Sequence, residues 1–552
     1  MLCLTMPLRR RSLLTATLCA ALLLLPLGCA KRESRVEAGN RTGTLHLAIS
    51  AEPRELDPQL QGTFDEMCVS LALFEGLTAI DERSSLPVPA AAERWETSAD
   101  GLRWSFHLRP GLRWSDGAPL TAADFAWSLQ RALTPALASE YAYVLYPIRG
   151  AQAFNAGKLP ADTALGVRVL DPLTLELALE RPTPHLAAIL ALPVAFPIPR
   201  TLLEKLEPTG EARRWSRPEH FVGNGPFVLT EWSPNRQIVA RRNPYFHEPA
   251  ALTAIVFHPF EQATAQEAAF RTGQLHLTSD LPAVRIADYR ANRPEALRLD
   301  PFLETNFLRF NTTRPPLDDP RVRRSLTLAL DRRALVEQVA LAGQQPATGL
   351  LSPQLPGYTP PAGVSFEPET ARRLLAEAGY PDGHGFPELE AMYFSSELNQ
   401  KLLEAMQQMW QRELGITVTL AAKEKQVWFT EERRLAYQLS LARWIGDYVE
   451  PSTFLELFIA GGGNNATGWA RPEYDHLVRT GASEADSAAR NTHYRQAEEL
   501  LLQDLPIAPL FHGTRPYLIQ PSVQGWEPAL LGFHRYQHVR LGSPAAARPP
   551  AG

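Results

Sequence analysis

Beyond its first 29 residues the chain has one cysteine, Cys68, so no disulfide within the molecule can hold it together. A fold of this length must therefore be secured by apolar cores, with Cys68 expected as a small buried hydrophobe. At 552 residues the chain exceeds the size at which a single core stops growing, which predicts two or three lobes. Its 48 prolines, against a usual ~5% of residues, are spread along the chain and point to many loops and strand ends. The segments 30–43 and 543–552 are the exceptions: they read as a tether and a frayed tail.

The N-terminus carries its own signal. Arg9, Arg10 and Arg11 precede an apolar stretch from Leu13 to Gly28, and Cys29 is followed at once by polar residues from Lys31 to Arg35. A basic start, a short apolar run and a small residue before the break describe an export signal over 1–28 rather than a membrane span. Gly28-Cys29 resembles the lipobox of bacterial lipoproteins, apart from Pro26 where an aliphatic residue is usual. That resemblance implies a lipid on Cys29 and a tether over 29–43. The protein is then expected outside the cytoplasm, anchored to a membrane facing the periplasm or cell exterior; several acyl chains, at about 0.8 kcal/mol per methylene, would hold it there. Twin-arginine and general export are both compatible with the basic start.

The formal charge is −5, and loss of the three arginines makes it more negative. That argues against nucleic acid and anionic membrane surfaces as partners.

Strand patterns dominate the first half. Leu45–Ile49 alternates. Trp104, Phe106 and Leu108 alternate with polar residues, and Pro110-Gly111 predicts a hairpin continuing to Leu112 and Trp114. Residues 167–179 predict a second hairpin turned at Asp171-Pro172, with Leu173, Leu175, Leu177 and Leu179 inward. Residues 227–232 and 237–241 predict a third. Helices carry the second half: one capped near Thr121 and Asp124, one opened by Asp319-Pro320, one over 369–378, and one over 398–413 leading into the strand 416–420. Helices feeding strands in this way suggest an α/β lobe.

Catalytic constellations are missing. There is no His-Glu-x-x-His, Cys-x-x-Cys, phosphate loop or Gly-x-Ser-x-Gly. His534 and His538 have helical metal spacing but no third ligand nearby, and an aromatic strand is the expectation there. Gly461 to Asn465 reads as a mobile loop. The pairs Glu431-Glu432 and Asp318-Asp319 read as solvated faces. No enzyme activity, cofactor or metal is expected.

Ordered blocks carry a second resemblance. Leu56-Asp57-Pro58, Leu73-Phe74-Glu75-Gly76-Leu77, Trp114-Ser115-Asp116-Gly117, Gly223-Asn224-Gly225-Pro226-Phe227, Arg242-Asn243-Pro244-Tyr245, Arg309 to Arg323 and Trp444-Ile445-Gly446-Asp447-Tyr448 resemble the oligopeptide-binding proteins of ABC importers, over about residues 44–540. The resemblance implies an α/β, bilobal periplasmic-binding-protein fold of the larger class, with a strand-rich domain inserted in the first lobe. It implies lobe I at 44–76, 198–302 and 516–540, the insert at 77–197, lobe II at 303–515 and a tail at 541–552. The hinge would lie near Phe302-Leu303 and Arg515-Pro516.

By the same resemblance the chain is a monomer that captures an extended peptide by strand-like pairing and delivers it to a membrane permease. Asp447 stands where the family places the partner of the peptide amine. Trp444, Tyr448, Tyr141 or Tyr143, Trp428 and Trp469 are candidate cleft aromatics. Asn399 is a further pocket candidate, and the Asn464-Asn465 loop is a candidate cover. Several cleft positions differ from the best-studied pattern: Leu441 replaces an arginine, Lys425 an aromatic and Gly62 an acid. A different cargo (murein peptide, glycan fragment, haem or metal chelate), or a sensor or chaperone role uncoupled from transport, is the alternative.

Overall fold

The computed structural model describes residues 33–160 and 163–542. The export signal, Cys29 and the tail from 543 onward lie outside the described residues.

Three main sheets organise the chain, each with its own core. Thr44–Ile49 pairs in parallel with Ala254–Pro259, and Gln237–Arg242 and Phe227–Ser233 extend that sheet antiparallel. The 227–242 hairpin forms as its alternation predicts. Its core gathers Leu45, Phe227, Ile238, Ile255 and Phe257 with Phe74 and Trp215.

A four-stranded antiparallel sheet runs in the order Ala92–Thr97, Arg103–Leu108, Thr174–Ala178, Val167–Asp171. Two sequence expectations change here. Arg103–Leu108 turns back through residues 98–102 onto Ala92–Thr97, not forward onto Leu112 and Trp114; Gly101, at φ +69°, supplies the left-handed residue that this turn needs. Leu175, Leu177 and Leu179 point inward, but Leu173 sits at the turn and is 38% exposed. The helix Ala122–Leu133, capped by Thr121 and Asp124, covers the sheet with Phe125, Leu129 and Leu133.

The third sheet has six strands, ordered Gln345–Pro346, Ile507–Leu518, Leu297–Phe310, Leu439–Ile445, Leu389–Phe394, Val418–Lys423. Helices bury apolar stripes against it. Pro320–Leu328 contributes Val322 and Leu326. Glu397–Leu414, capped by Ser396 and ended by Gly415 at φ +67°, buries Leu402, Leu403, Met406, Met409, Trp410 and Leu414. Trp410 is wholly enclosed, and its indole N–H donates to Leu326 O at 2.9 Å; truncating such a residue costs about 3–5 kcal/mol.

The two longest strands, Leu297–Phe310 and Ile507–Leu518, pair antiparallel, but their ladder is interrupted between Pro301/Thr514 and Thr305/His512. Inside that gap Leu303 N–H donates to Leu530 O and Leu303 O accepts from Gly446 N–H, both at 2.8 Å.

Both termini of the described chain are better ordered than their composition predicts. Arg35–Thr42 is a helix, not part of a tether. Ser34 Oγ accepts from Glu37 N–H at 3.1 Å, and the Glu37 carboxylate accepts from Ser34 N–H at 2.8 Å, a reciprocal cap that offsets the unfavourable charge density. Gly39 seats the helix: a Cβ there would come within 2.6 Å of His276 Cε1. At the other end Leu541 belongs to a short strand paired with Val523–Gln524. The aromatic strand expected at 534–538 is instead a single 3-10 turn, Tyr536–His538. His534 and His538 there face Glu82 and Glu248.

Candidate functional site

The strand Leu439–Ile445 delivers the central residue. After it, Gly446 passes so close to Leu303 that a Cβ would lie 2.5 Å from Leu303 Cδ2, so a larger residue would have to displace that side chain. Asp447 N–H then donates to Thr453 Oγ1 at 3.0 Å, and Pro451 opens the short helix Ser452–Leu455. The Asp447 carboxylate is thus presented on a fixed loop. Tyr143 Oη donates to Asp447 Oδ2 at 2.9 Å, from a segment about three hundred residues away.

Burial pushes the Asp447 carboxyl up to about 6, with the Tyr143 hydrogen bond acting in the opposite direction. A desolvated carboxylate with one neutral donor has unmet demand for a positive charge. The Tyr143 phenol is itself driven far above its ordinary range, first by burial and then by Asp447, so it remains a donor.

Both groups open into a cavity of about 760 Å³, within the size range of small-molecule sites. One wall comes from residues 143–189 and includes Tyr143, Tyr146, Lys158, Arg181 and His185; the other comes from residues 444–464 and includes Trp444, Asp447, Tyr448 and Glu456. Tyr448 stacks on His185 across the walls, centroids 4.7 Å apart and planes 10° from parallel. Its hydroxyl lies 3.1 Å from Ser452 Oγ. Among the described residues, His185 Nδ1 and Trp444 Nε1 are buried without a hydrogen-bond partner. Burial lowers the proton affinity of His185, opposed by Glu450, which keeps the ring neutral and its free nitrogen available to a ligand.

The residues singled out in the sequence separate into two groups. Trp444, Asp447 and Tyr448 line the cavity, as does Asn464 with Gly462 and Gly463. Tyr143, rather than Tyr141, meets Asp447; Tyr141 stacks behind it at 5.9 Å. Trp428 and Trp469 are core residues, only 4% and 6% exposed. Trp428 Nε1 donates to Ser440 Oγ and Trp469 Nε1 to the Asp504 carboxylate, each at 3.0 Å, and neither lines the cavity. Asn399 Nδ2 donates to Phe394 O at 3.0 Å, an internal tie at the start of its helix. Asn465 is likewise a brace, donating to Phe458 O, Ile459 O and Trp469 O.

Glu432 is also not a solvated carboxylate. It is 2% exposed and forms a 2.6 Å ion pair with Arg309. The sequence reading missed His185, Arg181 and Glu456. Glu456 lies just beyond the Trp444–Tyr448 block and could have been reached by extending it. His185 and Arg181 have no local signal.

Comparison with known proteins gives a consistent picture. Residues 87–466 match the family described as bacterial extracellular solute-binding proteins, family 5 middle. The probable deoxycholate-binding periplasmic protein YgiS of Escherichia coli is 35% identical over 486 residues, 86% of this chain and 89% of its own. The periplasmic oligopeptide-binding protein OppA of Escherichia coli is 32% identical over 531 residues, 94% and 96% of the two chains. Among solved structures, the murein tripeptide binding protein MppA of Escherichia coli superposes with a TM-score of 0.76 at 31% identity, covering 90% of this chain and 98% of that one.

Proposed function

Since the chain belongs to the bacterial extracellular solute-binding proteins of family 5, we propose that it is the peptide-capturing component of an ABC importer. A peptide lies extended in the cavity between the walls 143–189 and 444–464, and its α-ammonium group replaces water at Asp447. The observation that carries this reading is the Asp447 carboxylate: half-buried, held by one neutral donor and lining the cavity. An ammonium ion supplies the charge and the hydrogen bonds that the site lacks. Main-chain pairing reads no side chains, and waters in so large a cavity adapt to each residue.

In this reading lobe I comprises 44–76, 198–302 and 516–540, the insert 77–197 and lobe II 303–515. Closure bends the chain at Phe302-Leu303, inside the interruption of the long ladder, and at Arg515-Pro516, in the paired stretch just beyond it. Export through the signal over 1–28 and a lipid on Cys29 hold the protein, a monomer without turnover of its own, near its permease.

A second reading keeps the fold and changes the cargo, because relatives of similar identity are named for deoxycholate and murein peptide. A steroid carboxylate would bring a negative charge to Asp447; a murein peptide with a free amine would not. Calorimetry with one tripeptide, free and N-acetylated, separates the readings. Truncating one partner of a buried charge pair costs about 2–5 kcal/mol, so acetylation should weaken binding by about 30- to 5,000-fold. Equal binding of the two forms, or binding of the steroid acid alone, would overturn the peptide reading.

A further inference from the structure

Asp447 is not the only carboxylate in the cavity. Glu456 begins the turn Glu456–Phe458 directly after the helix that supports Asp447, and it lines the same space. The neighbouring Glu450 is fully engaged: Arg490 Nε donates to it at 3.1 Å, and Ser452 N–H at 3.0 Å. Asp447 has Tyr143. Among the described residues no group donates a hydrogen bond to the Glu456 carboxylate, and no cation lies within ion-pair distance. Burial raises its proton affinity and Glu450 adds to the effect, while Arg181 on the facing wall acts against it only through space. Arg181 and Lys158 are exposed, hence well solvated and weak partners. The buried ring of His185 stays neutral and offers no counter-charge.

Thr453, whose Oγ1 accepts from Asp447 N–H at 3.0 Å, stands one helical turn before Glu456, and all three line the same wall of the cavity. A peptide whose amine is held at Asp447 places its first side chain in that neighbourhood. An apolar side chain would exclude water from Glu456 and leave it uncompensated; an acidic one would be repelled. An ammonium or guanidinium group would satisfy it.

We propose that Glu456 makes this cavity select peptides whose first residue carries a cationic side chain, lysine or arginine. The inference rests on the peptide reading above and narrows it. The test is calorimetry with Lys-Ala-Ala, norleucine-Ala-Ala and Ala-Ala-Ala on the wild type and Glu456→Gln. In the wild type the lysine peptide should bind about 10- to 100-fold more tightly than its norleucine isostere, the range of a hydrogen-bonded charge contact. Glu456→Gln should reduce that ratio to within about threefold, with a thermal midpoint close to that of the wild type reporting an intact fold. Equal lysine and norleucine affinities in the wild type, or a preference that survives Glu456→Gln, would overturn the proposal while peptide capture stands. Failure of all three peptides to bind the wild type would sink both.

Discussion

Tyr143 and Asp447 meet across the cavity through a 2.9 Å hydrogen bond between two walls of the protein. The bond lowers the proton affinity of a carboxyl that burial has raised to about 6. Replacing the phenol by Phe removes the only hydrogen bond made to the Asp447 side chain among the described residues. Tyr143→Phe should therefore move the pH midpoint of peptide binding upward from about 6 and weaken binding at neutral pH by about 3- to 30-fold. Calorimetry across pH 5–8 measures both, and an unmoved midpoint would detach Tyr143 from the ionisation of Asp447.

The wild type should show its own pH signature. The folded protein holds the Asp447 proton more tightly than an unfolded chain, in which aspartate titrates near 4. The carboxyl therefore favours the fold fully below pH ~4, and that stabilisation is lost as pH rises from about 4 through about 6. Asp447→Asn should raise the thermal midpoint of the ligand-free protein at pH 7.5 and leave it unchanged near pH 4. Peptide affinity follows the ionised fraction instead, and should fall about tenfold between pH 7 and pH 5. The asparagine variant should show neither trend; a pH-independent wild type would contradict the assignment.

A buried chain of polar contacts secures the six-stranded sheet. Trp428 Nε1 donates to Ser440 Oγ, Ser440 Oγ donates to Glu432 Oε1 at 2.7 Å, and Glu432 pairs with Arg309. Glu432→Ala would leave Arg309 charged and alone, at about 3–5 kcal/mol, whereas replacing both partners by Leu and Met should recover most of the loss. Denaturant midpoints of the two variants decide this. A double variant as unstable as the single one would mean that the pair does more than satisfy itself.

Asp57, in the block Leu56-Asp57-Pro58, joins two of the sheets. Arg131 Nη2 donates to its Oδ2 at 2.6 Å and Trp215 Nε1 to the same atom at 3.1 Å. Arg131 also donates to Gln59 Oε1, and Gln59 Nε2 donates to Ser128 O. Asp57→Ala should speed amide exchange in residues 122–133 while leaving the strands at 389–445 unaffected. Uniform acceleration across the molecule would argue for general destabilisation instead.

Much of this was legible in the sequence wherever one local period or one turn decides the outcome. The hairpins at 167–178 and 227–242 follow from their alternation and turn residues, and the helices at 122–133 and 397–414 from their caps. Asp447 could be placed because its neighbours form a recognisable block. Legibility ended where a partner is distant in sequence. A tryptophan on a helix reads alike whether it faces a cleft or a core, and Trp428 and Trp469 were settled by Ser440 and Asp504. Tyr141 caps the turn of 3-10 helix Ala142–Leu145 and Tyr143 lies inside it, and the threefold period sends i and i+2 different ways. The helix at 35–42 was hidden by its charge, although Ser34 and Glu37 carry its cap.

Both long strands run unbroken through the gap around Leu303, whose amide and carbonyl are tied to Leu530 and Gly446. Flexing along that line would behave less like a joint with slack than like a strip scored once across its width. Its travel is bounded and its restoring force built in. Adding a single residue to either strand there would shift every pairing on one side of the score, so this stretch should tolerate changes of side chain far better than changes of length.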